Sequence, residues 1–195
     1  MSGSAQGGND ILTGGDNTGS GSVSNTLVGD AEEMHDNSVG GNDTLTGGAN
    51  ASNTLFGDAN EMHDNSHGGN DTLTGGNNTS GGGDVSNVMY GDAGILSDSA
   101  KGANDILTAG TASAGGTVHN DMWGDGPLSG SAQGGADQFV FKDNGPMTVG
   151  TNNLIEDFSQ SQHDTIEFSQ VAGVTDFNNL TFDTVTIPGS TIIHA

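Results

Sequence analysis

Single apolar residues flanked by small or polar ones recur along this chain, as in Thr44-Leu45-Thr46 and Thr72-Leu73-Thr74. Alternation over so short a run predicts strands of three or four residues, each pointing one side chain inward. Aligned by their surroundings, the inward positions fall into two sets. Leu12, Leu45, Leu73, Leu107 and Phe139 would stack in one sheet, and Leu27, Leu55, Met89 and Met122 would face them from another. Glycines bracket every strand and mark corners where the backbone turns tightly.

The surroundings themselves are two repeated words. GGNDTLTGG stands unchanged at residues 40–48 and 68–76, with looser copies at 7–15, 102–110 and 134–141. The second word runs NTLVGDA (25–31), NTLFGDA (53–59), NVMYGDA (87–93) and NDMWGDG (120–126), alternating with the first without a miss. From Gly7 the first word returns after 33, 28, 34 and 32 residues. One unit is therefore a strand, a turn, a second strand and a second turn, and such periods mark an array in which each unit contacts its neighbours. The expected fold is all-β: a right-handed parallel β-roll of two sheets, a flattened solenoid with long turns, in which successive coils hydrogen-bond at about 4.8 Å. It would occupy residues 1–141, with residues 142–195 as a β-rich capping segment that stops within an apparent strand and is expected to be truncated. Residues 1–10 match residues 128–137 almost position for position. That places Met1 in the middle of a turn, and the natural protein is expected to begin upstream.

Composition changes the picture, because this chain lacks the means for an ordinary core. It has 35 Gly in 195 residues, 30% hydrophobic content, 25 acids against two bases and a formal net charge of -23. Such a chain stays disordered by self-repulsion unless something else contributes, and the expected contributor is a cation. The absence of cysteine excludes a disulfide framework and a thiolate metal site. No apolar run approaches the roughly 18 residues of a membrane span, and residues 1–10 contain neither a basic nor an apolar segment suited to a secretory signal. Any export signal would lie elsewhere. Nucleic acid and anionic membrane are disfavoured partners at this charge.

The two edges of the expected coil differ in chemistry. Turns after the NTLxGDA word begin with Asp30, Asp58, Asp92 and Asp125, carry Asp36, Asp64 and Asp98 midway, and end with Asp43, Asp71, Asp105 and Asp137, with Asp10 ending the first copy. With Glu32, Glu33 and Glu61 this edge holds 15 of the 25 acids. Turns after the LTGG word hold Asp16 and Asp84 and end with Asn25, Asn53, Asn87 and Asn120, which can continue as a neutral hydrogen-bonded ladder. Unit charges 4 Å apart repel by about 4 kcal/mol at an effective dielectric of 20, so stacked carboxylates call for a cation between them. Hard oxygen ligands, with no paired His or Cys, favour Ca²⁺. On the order of four to eight ions are expected. All twelve of these Asp residues are candidate ligands.

GGNDTLTGG resembles the repeats-in-toxin nonapeptide G-G-x-G-x-D-x-U-x. The resemblance covers about residues 7–141, and the following NLIEDF (153–158), HDTIEF (163–168) and TDFNNLTF (175–182) are similar to the segment that closes such repeats in type I secreted bacterial proteins. The resemblance implies a Ca²⁺-triggered folding module, extracellular and linked to other domains, which stays extended inside the bacterium and folds outside. The turns here depart from the family pattern in being roughly twice as long.

Val28, Phe56, Tyr90 and Trp123 hold one position in four copies and would form an outward column, so Phe56, Tyr90 and Trp123 are candidate contacts for a glycan or surface ligand in an adhesin. The outward Thr pairs of two repeats are too irregular for an ice-binding face. His35 and His63 are equivalent, and His63 and His67 lie four apart, yet no third ligand falls in register, so all three read as exposed turn residues. Met34, Met62, Leu96 and Leu128 read as apolar plugs under the long acidic turns. No singular catalytic constellation stands out from the repeats, so an enzyme is not expected.

Overall fold

The computed structural model describes residues 1–143, 148–149, 152–183 and 191–194. Strands dominate these residues, and the one helical element among them is a 3-10 turn at Phe177–Asn179. The LTGG words build a six-stranded parallel sheet from Ile11–Thr13, Thr44–Thr46, Thr72–Thr74, Ile106–Thr108, Gln138–Lys142 and Thr165–Ser169. Its register pairs Leu12 with Leu45, Leu45 with Leu73, Leu73 with Leu107 and Leu107 with Phe139. The NTLxGDA words build a second parallel sheet from Ser24–Val28, Ser52–Phe56, Asp84–Tyr90, Thr117–Trp123 and Asn152–Ile155. There Leu27, Leu55, Met89 and Met122 stand in register. Both inward sets therefore pair as the alternation predicted.

Leu45, Leu55, Leu73, Met89, Leu107, Met122 and Phe139 are fully buried and pack in one cluster drawn from both sheets. Burying each such side chain contributes about 1.5–3 kcal/mol. With only one or two large apolar side chains inward per strand, this is a thin core, and the corners carry an unusual share of the cohesion.

The expectation of two sheets is corrected by a third. Ala31–Met34, Ala59–Met62 and Ala93–Leu96 pair in parallel inside what the sequence presents as long turns. Ala59 and Met62 are both fully buried although three residues apart. An odd spacing breaks the period of two by which a strand is recognised. Past this sheet the chain turns and returns through single-residue bridges linking Gln6, Val39, His67, Lys101 and Gln133. Met34, Met62 and Leu96 are fully buried in a second cluster with Ala59, Ala93 and Ala100. Leu128, expected to join them, bridges to Leu96 but remains 43% exposed.

The aromatic column is in register but does not stand free. Phe56 and Tyr90 stack at 5.0 Å with planes 5° apart, and Tyr90 and Trp123 at 6.0 Å with planes 19° apart. Their faces are turned to one another along the array, whereas a platform for sugar rings presents open faces. Phe56 is buried, and a methyl group at Gly94 would lie 3.1 Å from its Cε1, so the third sheet passes over it.

Pairing continues past residue 141. Thr165–Ser169 extends the first sheet and Asn152–Ile155 the second. Thr111–Ala112 pairs antiparallel with Thr148–Val149, and Thr181–Asp183 with Ile192–His194. Of the expected capping segment, residues 144–147, 150–151, 184–190 and 195 lie outside the described residues.

Candidate metal centre

Each excursion through the third sheet leaves after one Asp and comes back to another, and the backbone brings the two together. The leading carboxylates reach across the mouth of the excursion. Asp30 Oδ2 accepts the Gly41 N–H at 2.7 Å, Asp58 Oδ1 that of Gly69 at 2.9 Å, Asp92 Oδ1 that of Ala103 at 3.0 Å and Asp125 Oδ1 that of Gly135 at 2.6 Å. The trailing carboxylates reach along the array instead. Oδ1 of Asp43, Asp71, Asp105 and Asp137 accepts the N–H of the trailing Asp one repeat earlier, at 2.6, 2.7, 2.7 and 2.9 Å.

These bonds occupy only half of the trailing carboxylate oxygens. Oδ2 of Asp43, Asp71 and Asp105, and Oδ1 of Asp30, are buried with no hydrogen-bond partner. Asp43, Asp58, Asp71, Asp92, Asp105, Asp125 and Asp137 are each at most 3% exposed. Gly29, Gly57 and Gly91 make the space, because a methyl group at each would sit 2.1, 2.1 and 2.3 Å from Oδ2 of Asp43, Asp71 and Asp105. Asp10, Asp30 and Asp43 each offer an oxygen, all within 4.8 Å of one another.

Electrostatics follow from that crowding. Burial raises Asp71 and Asp137 to about 8, and Asp43 and Asp125 to about 6, from an ordinary 3.8. Asp58, Asp92 and Asp105 are held well above the ordinary range by burial first and by neighbouring carboxylates next. Backbone N–H bonds oppose the shift without cancelling it. Leading carboxylates also lie within hydrogen-bond reach of each other, Asp30 with Asp58 and Asp58 with Asp92. A buried column of acceptors with no donors can be neutralised in two ways, by protons or by cations between its members.

The midway residues are not part of this column. Asp36, Asp64 and Asp98 are exposed, with left-handed φ of 61°, 58° and 60°. Gly3 donates to Asp36 Oδ2 at 2.8 Å and Asp36 N–H to Asp64 Oδ2 at 3.1 Å, forming a separate ladder at the outer turn. The four extended residues of a third-sheet strand, about 13 Å, separate it from the leading Asp. Two further carboxylates continue the column beyond the residues that the two repeated words mark. Asp164 Oδ1 accepts the Asp137 N–H at 3.0 Å and continues the trailing series. Asp157 accepts from Gly124, Asp125 and Gly126 at 2.7, 3.2 and 3.2 Å. The signal for Asp164 was present, since HDTIEF places its Asp before a strand as GADQFVF does. Asp157 is shifted one place from the GDA pattern.

The opposite corner shows the neutral solution. Nδ2 of Asn25, Asn53, Asn87 and Asn120 donates to Oδ1 of the next Asn in the series, ending at Asn153, at 2.9, 2.8, 2.8 and 2.8 Å. Each amide also closes on its own corner, as Asn87 does by accepting from Gly76 N–H at 2.8 Å and donating to its carbonyl at 3.0 Å.

Fold and corner together define the class: an all-β chain of three parallel sheets whose repeats stack carboxylates along one corner and amides along the other. Compared with known proteins, the chain matches no family model, no curated protein and no solved structure.

Proposed function

We propose that this chain is a calcium-dependent folding module of the repeats-in-toxin kind, a right-handed parallel β-roll serving as a structural and export unit of a type I secreted protein. The observation that carries the reading is the row of buried Asp oxygens without partners, repeated in register at Asp43, Asp71 and Asp105. The donor set is hard, anionic and made of oxygen alone, which suits Ca²⁺; Mg²⁺ demands a smaller, near-octahedral and more hydrated site. Asp10, Asp30 and Asp43 would hold one ion. Register extends the pattern to the trios Asp43, Asp58 and Asp71, then Asp71, Asp92 and Asp105, then Asp105, Asp125 and Asp137, whose oxygens do not all lie within 4.8 Å of one another. Including Asp137, Asp157 and Asp164, about five ions would fill the corner.

Bound calcium supplies the positive charge that lets these carboxylates stay ionised while buried. The chain supplies the rest: Asp43, Asp71, Asp105 and Asp137 each belong to two trios, so occupancy of one prepares the next and folding is cooperative. At the low free calcium of a cell interior, repulsion among the acids keeps the chain extended for passage through a secretion channel; at millimolar calcium outside, metal binding becomes folding free energy. Far-ultraviolet circular dichroism during a calcium titration of chelated protein tests this, with magnesium as control. The expected result is a steep coil-to-β transition in calcium alone. A β-rich spectrum indifferent to chelator would overturn it and favour a constitutive scaffold.

A further inference from the structure

A second group of ligating side chains lies on the outer face of the third sheet, away from the carboxylate corner. Met34 and Met62 point inward, so the residues on either side of each point outward together: Glu33 with His35, and Glu61 with His63. His35 Nε2 is 3.0 Å from Glu33 Oε2, and His63 Nε2 is 3.1 Å from Glu61 Oε2. Glu33 and Glu61 are register partners, and the two imidazoles stack at 5.0 Å with planes 14° apart, so both Nε2 atoms face the same way.

We propose that Glu33, His35, Glu61 and His63 form a surface site for one borderline divalent transition ion, of which Zn²⁺ is the natural probe. The donors are two imidazole nitrogens and two carboxylates, a set that takes zinc in four-coordinate geometry and to which calcium is poorly suited. Ligands about 2.05 Å from a tetrahedral ion stand about 3.3 Å apart, close to the two N···O separations already present. One ring is already held as a metal-ligating imidazole requires, with His63 Nδ1 2.6 Å from Ser97 Oγ, while His35 Nδ1 stands 3.9 Å from Asp64 Oδ2, beyond hydrogen-bond distance. The two pairs stand on adjacent strands and no three of the four ligand atoms lie within 4.8 Å of one another, so side-chain rotation closes the site on the ion. The array is also bounded. In the next repeat Ile95 and Ser97 replace Glu and His, which leaves four ligands for one ion.

The test is isothermal titration of the full calcium-loaded chain with Zn²⁺, with circular dichroism to monitor the fold and zinc X-ray absorption to read the ligands. One Zn²⁺ should bind saturably with a shell of two imidazoles and oxygen. The affinity should fall at least about tenfold in His35→Ala/His63→Ala and in Glu33→Gln/Glu61→Gln, with the β-rich spectrum unchanged. Equal affinity in a folded double variant, an oxygen-only shell, or no saturable uptake would each overturn the site. The absorption spectrum of the unaltered chain decides the matter if both variants misfold.

Discussion

At the scale of single residues, this molecule turns on the difference between an amide and a carboxylate. The Asn at one corner has a donor and an acceptor, so a column of them closes on itself, as Asn53 and Asn87 do at 2.8 Å. Asp at the other corner has acceptors alone, and Oδ2 of Asp43, Asp71 and Asp105 is left over. Replacing Asp71 and Asp105 together by Asn keeps an acceptor for the neighbouring N–H and removes two buried charges. The calcium midpoint of that variant should rise at least about tenfold while its metal-free form becomes no less stable; calcium titration and chemical denaturation in chelator read the two effects. Asn87→Ala strands Gly76 and both neighbouring amides, and should cost about 3 kcal/mol in calcium with the ion count unchanged, measured by denaturation and by metal analysis. The two Asp series were legible in the sequence from their register alone. Asp36, Asp64 and Asp98 look equivalent there, because distance along a chain does not reveal which residues an intervening strand carries away.

At the scale of elements, the third sheet decides what the acidic turns are. Its strands hold Ala and Met, or Ala and Leu in the last of them, three apart, and the pattern carries no period that marks them in advance. Once formed, they close each excursion at a mouth where leading and trailing Asp meet, and they set Glu33 beside His35 on one outer face. Glycine permits the packing at that mouth. A methyl group at Gly57 would lie 1.7 Å from the Gly91 carbonyl oxygen, and one at Gly91 would lie 1.7 Å from that of Gly124. Backbone atoms cannot yield by such amounts within a ladder. Gly57→Ala and Gly91→Ala should each abolish the β-rich spectrum at any calcium concentration, whereas Ala at exposed Gly82, with nothing near it, should leave the transition unchanged.

At the scale of the whole molecule, stability is linked to pH through the carboxylate corner. Without metal, Asp43 and Asp125 titrate near 6 and Asp71 and Asp137 near 8 in the folded chain, against 3.8 as the ordinary value. The folded state therefore binds protons more tightly than the unfolded one. Stabilisation from these groups is complete below about 3.8 and is lost as pH rises through about 6 and then about 8. In chelator the chain should accordingly be most structured in acid and lose its β signal on going to mildly alkaline pH, as circular dichroism across that range would show. In calcium the dependence should invert at the level of affinity, with protons competing for the same oxygens and the midpoint rising as pH falls.

What the sequence determined by itself was the repeat, the inward residues of two sheets, the register and the contrast between an acidic and an amide edge. All of these follow from periodicity, because in a parallel array identical neighbours in sequence become neighbours in space. The course of each turn between its ends came only with the folded chain. The third sheet, the burial of seven carboxylates to 3% exposure or less, the removal of Asp36, Asp64 and Asp98 to an outer ladder, and the pairing of Glu with His all depend on it. Those features arise from contacts made across one excursion, and a residue's place in a repeat does not say which side of a fold its side chain will face.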